Sequence, residues 1–310
     1  PEDETTFRAN YGKIFKTLYL VKRLRTYLIP ILEVLGEIEV YVSIASLVKE
    51  YKEKPLVYSF VDFVTDADRP ELRFDGFWYP TLLHHQDIAD LIPNTVLMGS
   101  GSDESRNIIL TGPNAAGKST FLKGVATAIL MSQAFGIAPA SSARMTPFST
   151  IQTYINIADN SAEGDSLFKA ELKRSSSLVE KVNKLAKNQF AFTVLDELYS
   201  GTSAEEAIVG SGHVTERLCG NGNTNSMAVF ATHFRMLTRL EPISSGLFKN
   251  YKVGIERAED GTIIFPYTIT RGISDQHITL ELVKQQGVFG EKDSRFAMEL
   301  EKCLRHEGVN

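Results

Sequence analysis

The chain of 310 residues has 43% hydrophobic and 23% charged residues, which is typical of a globular protein with one large domain and a smaller attachment. Its net charge of −5 argues against a chain dominated by contacts with a nucleic-acid backbone. No apolar run has the length of a membrane span, so we expect no membrane partner.

Two further features concern the cellular compartment of the protein and the extent of the chain. Cys219 and Cys303 have no metal-binding spacing, and two free thiols are typical of an intracellular, reducing compartment such as cytoplasm, nucleoid or nucleus. Pro1 stands where an initiator methionine would, which predicts that the chain is part of a longer protein.

The N-terminal segment is predicted to be helical over residues 5 to 51. Apolar residues such as Tyr11, Ile14 and Leu18 recur at steps of three and four, and Pro30 is expected to break or kink the helix. A solvated face explains its basic residues, with a nucleic-acid contact as the alternative. The segment is therefore predicted to be a helical arm whose apolar side needs a partner surface.

Short strands are predicted at 57–64, 72–74 and 96–98, in the segment before a glycine-rich loop. That loop, residues 111–120, fits the phosphate-binding pattern G-x-x-x-x-G-K-S/T and lies between a strand and an apolar helix. Its two glycines let backbone N–H groups point at phosphate oxygens. The pattern predicts a nucleotide site, and the small sheet either covers the base or is purely structural.

Within this loop each polar residue has an expected task. Lys118 would bring a cation to the β- and γ-phosphates, and Ser119 would offer its hydroxyl to Mg²⁺. A helix is expected to start at Ser119 or Thr120, so that its N-terminal partial charge favours the same anion.

A second motif follows a predicted helix at 166–186. The apolar strand 190–195 ends in Asp196 and Glu197, a pattern in which one carboxylate holds Mg²⁺ and the next polarises the attacking water. A helix N-terminal feature is the alternative interpretation of this acidic pair. The strand 227–232 ends at His233, which is either a γ-phosphate sensor or an ordinary surface residue or helix cap.

Beyond Leu247 the apolar period becomes two, which predicts strands over 251–255 and 263–269 around a hairpin turn at Glu259–Gly261. Pro266 indicates that its strand lies at a sheet edge. Two closing helices, at 278–286 and 294–304, are predicted either to cap the domain or to pair with another subunit.

These motifs together resemble the C-terminal ATPase region of the MutS family of DNA mismatch-repair proteins, from about residue 31 to 290. The resemblance is carried by GPNAAGKST at 112–120, by the Asp196-Glu197 segment with GTS at 201–203, and by ATH at 231–233. Further matches are Ile92-Pro93-Asn94, which resembles the segment beside the adenine, and Ser166 with Phe168 and Glu171, which resembles the family's signature. Leu167 replaces the signature threonine, and Tyr199-Ser200 replaces the usual Gly-Arg.

The resemblance implies an α/β fold with a P-loop NTPase sheet of the ABC-like type, flanked by helices. It implies ATP and Mg²⁺ as ligands, with Ser119 and Asp196 on the metal and Lys118, Glu197 and His233 in catalysis. The expected nucleotide contacts are Gly112, Pro113, Asn114, Ala115, Ala116, Gly117, Lys118, Ser119, Thr120, Ile92, Asn94 and, across a dimer, Ser166.

The expected organisation is a helical lever arm at 1–54, the ATPase domain at 55–272 and a C-terminal helical dimerisation segment at 273–310. The family pattern implies a homodimer or MutS-like heterodimer with composite ATP sites, and DNA held mostly by regions absent from this chain. Two alternatives remain. One is a nucleotide-gated dimerisation or DNA-bridging module with negligible hydrolysis, and the other is a different ABC-like ATPase.

Overall fold

The computed structural model describes residues 4–99, 105–113, 116–155, 167–220, 223–259 and 262–274, with side chains from residue 10 onward. The chain divides into two compact units, Pro1–Glu53 and Lys54–Asn310. Across the described ranges, no helix is both long and apolar enough to cross a membrane. The C-terminal helices predicted at 278–286 and 294–304 lie outside these ranges.

The first unit contains one long helix, α1, which spans Glu4–Tyr51. The helix continues through Pro30, so the break that the sequence allowed there does not occur. A proline removes a single N–H donor, and the turns on either side of it keep their own hydrogen bonds. Many apolar side chains of α1 are exposed, including Tyr11, Ile14 and Leu18.

The second unit is a mixed α/β structure in which sheets are flanked by helices. Its strands are β1 (Ser59–Phe63), β2 (Leu72–Phe77), β3 (Asn94–Met98), β4 (Asn107–Thr111), β5 (Ile137–Ala138), β6 (Ser142–Met145), β7 (Thr150–Tyr154), β8 (Ala191–Asp196), β9 (Ser226–Thr232), β10 (Phe248–Val253), β11 (Glu256–Arg257), β12 (Ile263–Ile264) and β13 (Ile269–Arg271). Its helices are α2 (Lys118–Phe135), α3 (Leu167–Asn183), α4 (Ala204–Cys219) and the short α5 (Leu240–Ile243).

The main sheet has six strands in the order β13-β10-β4-β9-β8-β7. All its neighbouring pairs are parallel except β13 with β10. Every residue of β4 and β9 is buried, which explains why these strands have continuous apolar runs rather than alternating ones. The parallel register brings the carboxyl ends of β4, β9 and β8 to one edge, where Thr111 is opposite Thr232 and Asp196 is opposite Ala231.

Helices cover both faces of this sheet. On one face, Leu122, Val125 and Ile129 of α2 pack in a core cluster with residues of β4, β8 and β9. On the other face, a second cluster joins the sheet to Leu178 of α3 and to Leu218 of α4. The α2 helix is apolar on nearly all sides because it is buried in this core cluster.

A second sheet of five strands, in the order β3-β2-β6-β1-β5, contributes to the same core cluster as α2. Leu72, Phe74 and Met98 of this sheet are fully buried there. Strands β5 and β6 were missed by the sequence analysis, because each is only two to four residues long. Such short segments have no readable periodicity.

The C-terminal strands differ from the prediction. A continuous strand over 263–269 was expected, but β12 ends at Ile264 and β13 begins at Ile269. Between them Tyr267 has a φ of 53°, in the left-handed region, which no strand tolerates. The expected hairpin is present, since β11 pairs antiparallel with β12 and Ala258 N–H donates to Thr262 O at 2.9 Å.

Candidate functional site

A cavity of about 860 Å³ lies at the edge where the parallel strands end. Its wall includes residues that follow β4 and β8, the first turn of α2, and the connection between β2 and β3. In open parallel sheets, ligands bind outside the carboxyl ends of the strands. The cavity is therefore where the topology predicts a site.

The loop after β4 forms one side of the cavity and leads directly into α2. Gly117 precedes the helix with a φ of 93°, a conformation that favours glycine, and its carbonyl accepts from Phe121 N–H at 2.9 Å. A Cβ at this position would lie 2.9 Å from Cδ1 of Tyr267. The loop thus leads into an 18-residue helix whose first residues line the cavity, and the N-terminus of a helix favours a bound anion.

Lys118 is the cation of this loop, and it is 95% buried. Its Nζ donates to Gly112 O at 2.9 Å and to Pro113 O at 3.2 Å, and lies 3.6 Å from Oε1 of Glu197. Burial lowers the pKa of Lys118, and the carboxylates of Glu197 and Asp196 oppose that shift. The ammonium is therefore held in place between the loop and the end of β8.

Two carboxylates with different surroundings follow one another at the end of β8. Burial raises the pKa of Asp196, an effect opposed by a hydrogen bond with the side chain of Ser119. The neighbouring His233 side chain lowers the pKa of Glu197, with a further contribution from Lys118. Adjacent carboxyl groups whose pKa values are pushed apart are suited to different chemical tasks.

Glu197 is the point at which the side chains of three elements meet. Its Oε1 lies 3.6 Å from Lys118 Nζ and 3.6 Å from His233 Nδ1, and His233 follows the end of β9. The backbone of Glu197 has a φ of 50°, and its N–H donates to Ala231 O at 3.0 Å. Backbone strain at a non-glycine residue persists only where its surroundings impose it, and it is concentrated at functional sites.

Hard oxygen donors are adjacent at the same edge. The Ser119 side chain lowers the pKa of Asp196 against the effect of burial, and both residues line the cavity. A cluster of three or more His, Cys, Asp or Glu residues that could hold a metal ion does not occur in the part of the chain that the structure describes. One hydroxyl and one carboxylate suit Mg²⁺, which keeps several waters and takes further oxygens from phosphates.

Ile92 and Asn94 line the opposite side of the cavity. The Asn94 side chain is engaged within the protein: its Nδ2 donates to Tyr267 O at 3.0 Å, and its Oδ1 accepts from Ile269 N–H at 2.8 Å. Asn94 therefore ties the start of β3 to the segment before β13. It orients Tyr267 rather than offering a free amide to a ligand.

The residues expected at the site are largely assembled in one place. The cavity lining includes Pro113, Gly117, Lys118, Ser119, Thr120, Ile92, Asn94, Asp196 and Glu197. Ala116 does not line it and is instead buried in the core cluster beneath α2, which explains a small residue there. Asn114, Ala115 and Ser166 lie outside the described residues.

Several lining residues were not singled out by the sequence analysis. Tyr267 was assigned to a strand, although an aromatic residue directly after Pro266 at a predicted sheet edge is an available signal for a turn. Tyr154 also lines the cavity, and so do Glu171 and Ser200, which the sequence analysis named only within the resemblance to the family and without a role of their own. Burial and the Glu171 carboxylate raise the pKa of Tyr154. Local patterns do not predict that these three residues meet, because they come together through packing of α3 against the sheet.

Comparisons with known proteins agree with this architecture. A family model described as MutS domain V matches residues 108–292, more than half of the chain. The DNA mismatch repair protein MutS of Clostridium perfringens is 32% identical over 255 residues, which cover 80% of this chain and 27% of that protein. The MutS of Clostridium beijerinckii is 31% identical over 229 residues, 72% of this chain and 24% of that protein.

A third relative, the DNA mismatch repair protein MutS of Clostridium botulinum strain Langeland, is 33% identical over 208 residues, which cover 66% of this chain and 22% of that protein. The chain therefore spans about a quarter of the length of the curated relatives that it matches. The matched region contains the glycine loop, the acidic pair and His233 that form the edge described above. On the extent of this match, the chain belongs to the MutS family.

Proposed function

We propose that this chain is the ATP-binding and hydrolysing part of a MutS-like DNA mismatch-repair or DNA-structure-binding protein, built on a P-loop, ABC-like fold. The observation that carries the proposal is that Glu197 Oε1 lies 3.6 Å from Lys118 Nζ, at the start of α2, and 3.6 Å from His233 Nδ1. The cavity brings together the Lys118 cation, the N-terminus of α2 and the Glu197 carboxylate, whose pKa is lowered. These groups are suited to the transfer of a phosphoryl group to water.

The phosphates are held by the loop and by the beginning of α2. Backbone N–H groups of residues 113–119 and the Lys118 ammonium supply positive partial and full charges. Lys118 needs only to exchange its bonds with Gly112 O and Pro113 O for phosphate oxygens, because its Nζ already lies in the loop. Asn114 and Ala115 belong to this loop by sequence and are assigned to it on that ground.

Ser119 and Asp196 would hold Mg²⁺, for which their hydroxyl and carboxylate oxygens are suitable ligands. When bound, the ion neutralises charge on the phosphate oxygens. Desolvation of Asp196, which raises its pKa, is offset when a dication is beside it.

The nucleoside lies between the β2–β3 connection and the segment before β13. Tyr267 offers an aromatic ring next to Gly117, and Ile92 offers an apolar contact on the same wall. Stacking on an aromatic ring is a general way to hold a base. Asn94 contributes by fixing the backbone around Tyr267.

Glu197 orients the attacking water and accepts its proton. The lowered pKa of Glu197 keeps the carboxylate ionised, as a base requires. His233 lies 3.6 Å from Glu197 and is placed to sense the γ-phosphate from the end of β9. Catalysis then consists of positioning and electrostatic stabilisation around the phosphoryl group.

Two chains complete each site in the family's manner. Ser166 reaches the nucleotide of the partner chain, residues 273–310 dimerise, and the partner is a second copy or a MutS-like protein. The N-terminal helix α1 acts as a lever that carries changes in the nucleotide site to DNA-binding regions outside this chain. The name of the relatives, DNA mismatch repair protein MutS, supports a role in DNA repair.

Two substitutions separate nucleotide binding from turnover. Lys118→Ala removes the buried ammonium, so affinity for ATP should fall by about 10- to 100-fold, the value of one or two charged hydrogen bonds. Glu197→Gln keeps shape and affinity but should lower phosphate release by about 10²- to 10⁴-fold. Calorimetric titration measures the first effect and a phosphate-release assay the second.

The matched control is Lys181→Ala, an exposed lysine in the last turn of α3. It should leave both measurements unchanged. Native affinity in Lys118→Ala, or native phosphate release in Glu197→Gln, would show that the site is wrongly assigned. A wild-type chain that binds ATP but releases no phosphate, with or without duplex DNA, would favour the nucleotide-gated module over the enzyme.

A further inference from the structure

A buried carboxylate lies beneath the turn that follows Glu197. Glu171 of α3 is 99% buried, and it accepts three hydrogen bonds from the turn. Its Oε1 accepts from Ser200 N–H at 2.9 Å and from Ser200 Oγ at 3.1 Å, and its Oε2 accepts from Gly201 N–H at 3.2 Å. An ionised carboxylate only accepts hydrogen bonds, so it matches three donors without a conflict.

The turn that Glu171 holds is strained. Both Glu197 and Tyr199 have positive φ values, 50° and 60°, although neither is a glycine. Such conformations persist only when other contacts over-determine them. Hydrogen bonds to Ser200 and Gly201, the two residues after Tyr199, supply that constraint from outside the turn.

Helix α3 also contacts the turn at two other points. A Cβ on Gly201 would lie 2.9 Å from Cγ of Leu167, so the first residue of α3 packs directly against the turn. One helical turn after Glu171, Ser175 Oγ and Tyr199 OH form a buried hydrogen bond of 2.7 Å. Three contacts from one face of α3 therefore determine the position of residues 199–201.

We infer that Glu171 is a positioning residue for ATP hydrolysis, which sets the direction of the Glu197 carboxylate through the turn 197–201. The inference rests on the proposed function, since Glu197 must act in turnover for Glu171 to act through it. Loss of the Glu171 hydrogen bonds would let the strained backbone relax and move the carboxylate away from the attacking water. The phosphate loop, which is built on a different strand, would keep its shape.

The test uses the 310-residue chain with Glu171→Gln, and with Glu180→Gln as the control. Glutamine has the shape of glutamate but turns an NH₂ group towards one of the three donors, which breaks that bond. Glu180 is an exposed residue of the same helix, paired with Lys184. Turnover, the dissociation constant of a non-hydrolysable ATP analogue, and the melting temperature are measured for each variant.

We expect Glu171→Gln to lower kcat by about 10- to 100-fold, the effect of a displacement of roughly 1 Å, while affinity for the analogue stays within about twofold of wild type. Glu180→Gln should match wild type in all three measurements. In a Glu197→Gln background, Glu171→Gln should cause no further loss of turnover, because both substitutions act on the same group.

A second variant keeps the test decisive if Glu171→Gln fails to fold. Ser200 is exposed, and Ser200→Ala removes one hydrogen bond to Glu171 while both backbone bonds remain. It should lower kcat by about threefold without a change in affinity.

Three results would overturn the inference. The first is native kcat in Glu171→Gln and in Ser200→Ala. The second is parallel loss of kcat, affinity and melting temperature, which indicates a merely structural role. The third is an additive loss in the Glu197→Gln background. A wild-type chain without ATPase activity overturns the proposed function itself, whereas an active wild type with an unaffected Glu171→Gln overturns only the role of Glu171.

Discussion

Four residues other than glycine have positive φ values in the described part of the chain, and three of them belong to the candidate site. Glu197, Tyr199 and Tyr267 line the cavity or the turn beneath it, and the fourth is Ser245. Each of these conformations costs on the order of 1–3 kcal/mol. Their concentration at one edge supports the view that backbone geometry there is selected for the position of side chains rather than for stability.

The two adjacent carboxylates also differ at the residue scale. Burial raises the pKa of Asp196, whereas the neighbouring His233 side chain lowers the pKa of Glu197. The first is thereby prepared for a cation and the second for proton acceptance. The sequence assigned these two roles by resemblance to the family, and the different surroundings of the two side chains give a physical reason for the same assignment.

Tyr267→Ala tests the aromatic wall of the proposed nucleoside site. Loss of the ring should weaken binding of both ATP and ADP by about 1–3 kcal/mol, the usual contribution of base stacking on an aromatic side chain. ATP and ADP have the same base, so the loss should be equal for the two nucleotides. Competition titration with a fluorescent nucleotide measures it.

Tyr267→Phe is the matched control, because it keeps the ring and removes only the hydroxyl. We expect it to bind nucleotide as wild type does. Equal binding by wild type and Tyr267→Ala would mean that the base lies elsewhere in the cavity.

At the scale of elements, the segment Gly201-Thr202-Ser203 receives a physical explanation. Ser203 is the N-cap of α4, since its side chain accepts from Glu206 N–H at 3.4 Å, and Thr202 Oγ1 donates to the Glu206 carboxylate. Gly201 has no room for a Cβ beside Leu167. The three residues thus end the turn after Glu197, allow α3 to approach, and start the next helix.

Ser203→Ala should therefore destabilise the fold. Loss of an N-cap side chain costs about 1 kcal/mol, typically within 0.5–2 kcal/mol, because one helix N–H is left without its acceptor. Urea denaturation followed by circular dichroism measures the change in the free energy of unfolding. Ser203→Asp keeps an acceptor and should remain within a few tenths of a kcal/mol of wild type. Wild-type stability in Ser203→Ala would indicate that water satisfies this helix end equally well.

At the scale of the whole molecule, the candidate site lies on an edge that draws on both sheets. Strands β4, β8 and β9 bring Lys118, Glu197 and His233 together, and the β2–β3 connection supplies the other wall. Segments distant in the chain also meet here, since Asn94 bonds to Tyr267, 173 residues away. An open cavity on such an edge is compatible with completion by a second chain.

Nucleotide-dependent dimerisation is the prediction that belongs to this scale. With a non-hydrolysable ATP analogue, light scattering should report twice the mass of one chain, because each site is proposed to need Ser166 of the partner. With ADP, which lacks the γ-phosphate, the dimer fraction should be smaller. Lys118→Ala, whose affinity for nucleotide should be about 10- to 100-fold lower, serves as the control, and it should stay monomeric at an analogue concentration that saturates only the wild type. A wild-type monomer with either nucleotide would contradict composite sites.

The local chemistry of this protein was determined by the sequence itself. The glycine loop, the acidic pair and the helix after the loop were predicted from short patterns, and the structure has the strand before the loop, the helix after it and the strand that ends at Asp196 where these patterns predicted them. Such features depend on a few neighbouring residues and on the period of the apolar positions, which are readable along the chain. The predicted strand failed at Tyr267, where contacts with distant segments override the local pattern, and the break allowed at Pro30 does not occur because the helical turns on either side continue.

Only the tertiary structure decided the partners of those local features. Three contacts depend on strand order and helix packing. Tyr267 lies against Gly117, and Asn94 bonds to the segment before β13. Glu171 accepts hydrogen bonds from Ser200 and Gly201. A period in the sequence reports which face of an element is buried, but not against what. Contacts between distant segments arise because the whole core is buried together. The sequence therefore determines the glycine loop, and the fold determines which residues of other segments surround it in the cavity.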